Sequence, residues 1–487
     1  MIQNIEKKLK ELFKNSFIYG LGSIAQSGLN FILIPVMTFF LTQEEFGIYS
    51  LILISGIIAS SIFYLGITSA LPRSYFDYDN EIKRKVIFST GFIIISLGAL
   101  TQTLIGYFLQ DNLSLFLFRK VIETEAIFWC FVSGSIGIII QYLLVFLRIL
   151  RFAISSVVIN LFSLVLSLFL IIAALKFFPE NKILNSFIAL TISNLIILII
   201  LSCIIFFKHF VFRFNLEESK KLIVYGIASV LVAAGHMFLE WSDRFIIERY
   251  LNISEVGIYS ASVRIGSLIN VLMIIPFSQI WNPMMMEYRN DKNIKDFFSK
   301  ITSYFMIVGI IFLIPIIVFS FEITSLLIQF EEANLEELSL ISSIFMISYF
   351  IYGIVNITTA GILYERKTHL MPLVFVGLAL IKFYLGILII NEYGLVGLSF
   401  IALFISLFFP IIFYFISTRY FYFKIEIKTI IKTIVIILIL IIYKLFESLF
   451  QMNFFEKIIL LSLLYLVVYF YFLEKEEKKY LKKILTK

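Results

Sequence analysis

His236-Met-Phe-Leu-Glu240-Trp-Ser-Asp243-Arg244-Phe-Ile-Ile-Glu248-Arg249, followed one residue later by Leu251-Asn-Ile-Ser-Glu-Val-Gly-Ile-Tyr-Ser260 and then by Arg264, reads unlike the chain around it. Charges crowd into apolar sequence here. The second part also repeats an earlier phrase, Leu41-Thr-Gln-Glu-Glu-Phe-Gly-Ile-Tyr-Ser50, at an offset of 210 residues. One stretch thus reports a duplication and a group of charges that the surrounding sequence ought to exclude.

The surroundings settle the fold class. Of 487 residues, 60% are hydrophobic and only 15% are charged, far from the balance of a water-soluble domain. Apolar runs long enough to cross a bilayer recur from end to end. The chain is expected to be an all-α polytopic membrane protein of about fourteen transmembrane helices. The spans that matter below are the first (17–41), second (46–71), seventh (222–250), eighth (254–282), eleventh (370–390), twelfth (395–418), thirteenth (429–446) and fourteenth (456–473). Hydropathy alone would end the seventh near Leu239, and its extension to 250 rests on the repeat. Residues 1–16 place Ile5, Leu9, Leu12 and Phe13 at helical spacing among lysines, the pattern of an amphipathic surface helix. The run after it is too long for a signal peptide.

Orientation follows from the basic residues. Of the 40 lysines and arginines, about 30 lie in or at the edges of segments on the side of the N-terminus and about 8 on the other. Both termini are therefore expected in the cytoplasm, with the chain in the cytoplasmic (inner) membrane. The tail at 474–487 is basic and suits anionic lipid headgroups.

The repeat has further matches. Asp77-Tyr78 aligns with Glu287-Tyr288, Pro72 with Pro283, and Ser186-Phe-Ile-Ala-Leu190 with Ser399-Phe-Ile-Ala-Leu403. Each copy holds six spans, an even number, so both enter the membrane in the same direction and form two parallel six-helix lobes. The expected organisation is an N-lobe at 17–207, a cytoplasmic connector at 208–221, a C-lobe at 222–418, and two C-terminal helices at 429–473.

Several chemistries are excluded or demoted. No Gly-rich phosphate loop ending in Gly-Lys-Ser/Thr occurs. His209, His236 and His369 have no metal-ligand spacing, and Cys130 and Cys203 sit in apolar runs where packing is their role. Asp77-Tyr-Asp79 resembles an Asp-x-Asp motif, but its repeat partner is Glu287-Tyr-Arg289 and no soluble domain surrounds it. No catalytic residue, metal, cofactor or nucleic-acid partner is expected.

The intramembrane charges carry the functional reading. A charge near the bilayer centre costs roughly 2.5–3.5 kcal/mol on insertion scales, so it faces a partner or a water-filled cavity. His236, Glu240, Arg244 and Glu248 follow one another at i, i+4 in a single stripe, with Asp243 beside it. Arg264 and Lys382 lie near mid-span with no acid close in sequence. The bland alternative for the stripe is an ion-pair network that fixes lobe geometry. The N-lobe counterparts of Asp243, Arg244 and Arg264 are Leu33, Ile34 and Ile54, so the charge is confined to one copy. Arg264, Lys382 and Arg244 are the candidate contacts for an anionic substrate such as a diphosphate, and Asp243 and Glu240 the candidate carriers of a coupling proton or sodium ion. Pro35, whose repeat partner is Phe245, is the candidate hinge.

Phe46-Gly-Ile-Tyr-Ser50 after Leu-Thr-Gln-Glu-Glu, and Asp243-Arg244-Phe followed by Val256-Gly-Ile-Tyr-Ser260, resemble the Wzx-type polysaccharide-biosynthesis flippases of the multidrug/oligosaccharidyl-lipid/polysaccharide exporter superfamily. The resemblance covers nearly the whole chain. It implies a MATE-like fold and translocation of an undecaprenyl-diphosphate-linked oligosaccharide by alternating access, for O-antigen, capsule or exopolysaccharide assembly. A cationic central cavity, onto which Arg264 and Lys382 map by character, is implied too, as are other membrane proteins of polysaccharide assembly as partners. The acids Glu240, Asp243 and Glu248 depart from a purely cationic picture. A multidrug/cation antiporter and a peptidoglycan-precursor flippase share the fold. A membrane-embedded glycan polymerase or ligase would need a large extracytoplasmic loop, and none is present.

Overall fold

The computed structural model describes residues 25, 28, 29, 31–78, 80–287, 294–330, 334–365, 367–450 and 452–471. The expected amphipathic segment 1–16 and basic tail 474–487 lie outside them. Among the described residues the chain is helical with no strand. Close packing groups the chain into two units, residues up to Ser260 with His369–Glu392, and Ala261–Thr368 with Tyr393–Lys487.

In the first unit, α1 (Phe31–Phe40) runs through Pro35 without a break in helical structure. A two-residue corner leads into α2 (Gln43–Phe63). The repeated phrase explains that corner. Thr42 accepts a hydrogen bond from the Glu45 amide (3.2 Å), and Glu45 Oε2 accepts one from the Thr42 amide (2.8 Å). This capping box satisfies orphan donors of the first turn. The second copy starts its helix the same way, with Asn252 Oδ1 accepting from the Glu255 amide at 2.9 Å.

A left-handed pair, Leu65 and Gly66, separates α2 from α3 (Ile67–Phe76). The chain then forms α4 (Glu81–Phe108), α5 (Gln110–Phe118), α6 (Thr124–Ile149), α7 (Ala153–Phe177) and α8 (Lys182–His209). α6 is central and packs against α2, α4 and α8. Phe88 and Phe146 meet with ring centroids 4.0 Å apart, and Tyr142 donates to the Phe88 carbonyl at 2.6 Å. By contrast, α7 leaves Phe162, Val165 and Phe169 exposed; such a face suits hydrocarbon and not water.

α9 (Leu216–Tyr250) is one continuous 35-residue helix, capped by Asn215. At 1.5 Å per residue it is about 52 Å long. It carries the charge cluster without interruption to Tyr250, where hydropathy alone would have stopped it near Leu239. α10 (Ile253–Gly266) opens with the second copy of the phrase.

The two copies of the phrase pack on each other. A Cβ added at Gly47 would run into the Ile253 carbonyl oxygen, and one added at Gly257 would run into the Gln43 carbonyl oxygen. Each contact maps onto the other at the repeat offset of 210, so the crossing is a local two-fold between the starts of α2 and α10. Only glycine lets two helix backbones approach this closely. Gln43 and Ser254 add a side-chain hydrogen bond of 3.1 Å across the same seam.

In the second unit, a π-helical stretch (Asn270–Ile274) leads into α11 (Ile275–Glu287). There follow α12 (Ile294–Val318), α13 (Ser320–Leu327), α14 (Leu335–Gly353) and the short α15 (Val355–Thr358) and α16 (Ala360–Tyr364). α17 (Leu370–Thr418) contains a break at Gly394, whose φ of 55° and ψ of −145° suit glycine alone. That break divides the expected eleventh and twelfth spans. α18 (Ile427–Phe450) and α19 (Phe454–Tyr471) follow the duplication.

Eleven helices are long and apolar enough to cross a membrane among the described residues, against about fourteen spans expected. Three causes account for the difference. The first span is described mainly from Phe31, the side chains of α9 are described only in part through its apolar half at 222–239, and α17 counts as one helix across its break.

Candidate substrate and coupling site

α9 delivers Asp243 and Arg244 on adjacent positions, and the helical segment before Gly394 delivers Lys382 against them. Lys382 Nζ lies 2.6 Å from Asp243 Oδ2, with the two side chains 6% and 2% exposed. The ammonium also donates to the Leu239 carbonyl at 2.8 Å. Lys382, for which sequence offered no nearby acid, is thus ion-paired across 139 residues of chain. Tyr259 donates its hydroxyl to the same Asp243 oxygen. Asp243 Oδ1 is buried with no hydrogen-bond partner, which leaves one acceptor oxygen of the carboxylate unsatisfied.

Arg244 has its own partners. Its Nε donates to Ser260 Oγ at 3.1 Å and its Nη1 to the Glu240 carbonyl at 2.9 Å, and its guanidinium lies 5.9 Å from the Tyr259 ring centre. The stripe therefore does not form a continuous ladder of ion pairs. Glu240 meets His236 at 3.6 Å through its carboxylate, and Glu248 meets Arg119 of the α5 end at 3.8 Å. Arg119 further caps the Arg249 carbonyl.

Tyr259 and Ser260 belong to this cluster too, though sequence reading flagged them only as part of a repeat. They hold Asp243 and Arg244 respectively, at a spacing of 16 residues. In the N-lobe the matching Tyr49 stacks on Phe187 (centroids 5.0 Å apart), and Ser50 Oγ is buried without a partner. The phrase keeps its cap and glycine in both copies and holds charge in one.

Arg264 occupies the last turn of α10 in the second unit and is half-buried. Pro35 sits within the helical run of α1, where Thr38 Oγ1 reaches its carbonyl at 3.4 Å. Among the described residues no group of three or more His, Cys, Asp or Glu side chains is placed to hold a metal ion.

A second charged group was not foreseen. In the second unit Lys457 Nζ lies 2.7 Å from Glu447 and 2.8 Å from Glu322, and Lys444 pairs with Glu447. These residues line a cavity of about 490 Å³ that also takes in Glu336 and Glu337. The signal was present in Lys444 and Glu447 at i, i+3 near one span end and Lys457 near the start of the next.

Helices with lipid-suited faces, and buried charge on α9, α17, α18 and α19, describe a multi-pass membrane protein. The sequence profile of the family described as polysaccharide biosynthesis protein (Polysacc_synt) matches residues 12–289, more than half of the chain. The chain belongs to that family.

Solved structures give the fold. A lipid II flippase, MurJ, in an inward closed conformation is 16% identical over 92% of this chain and 97% of its own, with a TM-score of 0.74. A multidrug resistance MATE family transporter of the MOP superfamily, inward-facing, is 13% identical over 81% and 94%, at 0.67. A MOP superfamily transporter from Pyrococcus furiosus is 12% identical over 83% and 95%, at 0.63. The MATE-like fold expected from the resemblance is the fold found. No curated protein sequence matches the chain.

Proposed function

We propose that this protein moves an undecaprenyl-diphosphate-linked oligosaccharide from the inner to the outer leaflet of the cytoplasmic membrane, as a step in surface polysaccharide assembly. The lobes at 17–207 and 222–418 are the moving bodies, and a proton or sodium ion is the coupling species. Family membership supports the glycan pathway. The observation that carries the mechanism is the buried Lys382–Asp243 pair with its unsatisfied second oxygen.

An arriving diphosphate competes with Asp243 for the Lys382 ammonium, and Arg264 is a separate candidate contact for the anion. Once Lys382 turns to the phosphate, Asp243 is left as an uncompensated buried carboxylate, which strongly favours taking up a proton or sodium ion. Substrate and ion are thereby linked through one pair: binding of either releases the partner that the other needs. Arg244, tied to Ser260 and the Glu240 carbonyl, keeps a fixed positive charge beside the exchange, and Glu240 is the second ion-carrying candidate. Pro35 is the proposed bending point of the first span.

The test is Lys382→Ala and Arg264→Ala, singly and together, in cells assayed for surface glycan and for the lipid-linked intermediate. Export should fall at least tenfold at normal protein level, with the intermediate accumulating inside. Unchanged export from the double variant would sink the substrate-binding role.

A further inference from the structure

We infer that a second cavity, contained wholly within the N-lobe, is a neutral recognition site for a sugar ring of the transported lipid. It has a volume of about 520 Å³ and is bordered by α2, α6 and α8. That volume lies in the range of small-ligand sites, which are mostly apolar with a few placed polar groups. The inference rests on the flippase reading above and deepens it.

The chemistry of the lining decides the ligand. Among the described residues no lysine, arginine, aspartate or glutamate borders the cavity; its polar groups there are Ser60, Ser61, Ser133, Gln141, Asn194 and the Tyr64 ring with its hydroxyl. Asn194 spends both amide hydrogen bonds on Ser133, to its carbonyl at 3.2 Å and its Oγ at 3.0 Å. Its carbonyl oxygen and the whole Gln141 amide keep hydrogen-bonding capacity for a guest. Ser60 Oγ is fixed from behind by the fully buried Gln102, whose Nε2 donates to it at 3.0 Å. Gln102 Oε1 itself is buried without a partner.

A polyprenyl or acyl chain in this space would strand those amides away from water, at a cost of about 1–3 kcal/mol for each unsatisfied group. Among the described residues the lining offers a diphosphate no cation. Hydroxyl and acetamido groups of a pyranose match the set, and the Tyr64 ring offers an apolar face. Gly137 opens the space: a Cβ there would meet nothing within 4 Å. The charged C-lobe pair would thus handle the diphosphate and the uncharged N-lobe cavity the sugar.

The experiment uses the full chain in lipid nanodiscs and two probes, undecaprenyl diphosphate and the same lipid bearing one N-acetylglucosamine. The glycosylated probe should bind about tenfold more tightly, a difference of about 1.4 kcal/mol. Gly137→Leu, which fills the cavity, and Gln141→Leu, which removes an amide, should bring that ratio close to one and leave the bare lipid unaffected. Gly137→Ala should behave as the parent and serve as the folding control, since alanine favours a helix over glycine. Equal binding of the two probes by the parent overturns the sugar site, and so does a Gly137→Leu variant that loses both probes alike, the result for a cavity holding the lipid chain. Failure of the parent to bind even the bare diphosphate lipid would instead strike the flippase reading.

Discussion

Asp243 sits where three demands meet. One oxygen receives Lys382 and Tyr259, the other is unpartnered, and its neighbour Arg244 is engaged elsewhere. Breaking a buried pair on one side leaves the other charge uncompensated, so Asp243→Asn and Lys382→Met should each destabilise the protein by about 3–5 kcal/mol. The double variant should recover most of that loss in thermal unfolding of the purified protein while export stays abolished. Recovery of export with stability would show that the pair is structural only. Tyr259→Phe keeps the ring and removes the hydroxyl, and should cost about 1.5–3 kcal/mol as the loss of a hydrogen bond to a charged group. The buried charges were legible as a feature of sequence because hydrocarbon makes each one conspicuous. Their pairing was not: Lys382 finds its acid across 139 residues, and nothing local to either residue specifies the meeting. Lys444, Glu447 and Lys457 were overlooked for the opposite reason, since charges near span ends look like ordinary snorkelling residues.

The starts of α2 and α10 illustrate how far one phrase can be read. Its register of Glu, Gly, Ile, Tyr and Ser revealed the duplication, and in the structure these residues cap the helix, permit the crossing, pack the core and hold polar partners. What sequence did not disclose is that the copies meet each other. Gly47→Ala and Gly257→Ala should each force the helices apart and cost about 1–3 kcal/mol, the range for overpacking a tight contact. Because the contacts are related by the local two-fold, the two costs should be similar. The double variant should lose less than their sum, since separation caused by one methyl already makes room for the other. Unfolding midpoints of the three variants measure this, and full additivity would argue that the glycines act independently. The span count shows the limit at this scale. Hydropathy would have clipped α9 because its charges hide a helix that the repeat alone could extend, whereas the gap expected between the eleventh and twelfth spans brackets the break at Gly394 without singling that residue out.

At the scale of the whole molecule, orientation and motion are quantities that experiments reach directly. In intact cells a membrane-impermeant maleimide should label cysteine at Asp111, in a segment opposite the N-terminus, and spare cysteine at Arg213, in the connector; the reverse pattern would invert the topology. In the proposed alternating-access cycle the seam between the two copies has to part. Oxidation of the pair Gln43→Cys and Ser254→Cys, which replaces an existing hydrogen bond, should therefore stop glycan export, and a reductant should restore it. Undiminished export by the cross-linked protein would remove the seam from the transport cycle.

The glycine crossing also bears on ancestry. A contact in which residue 47 meets 253 while 257 meets 43 is isologous, the kind that joins two identical subunits in a closed dimer. Fused on one chain, the halves are free to differ wherever they do not touch, and one has Asp243, Arg244 and Arg264 where the other has Leu33, Ile34 and Ile54. At the seam each half is the other's complement, so a change on one side needs an answering change on the other. The duplicated phrase survives there because neither copy can drift alone.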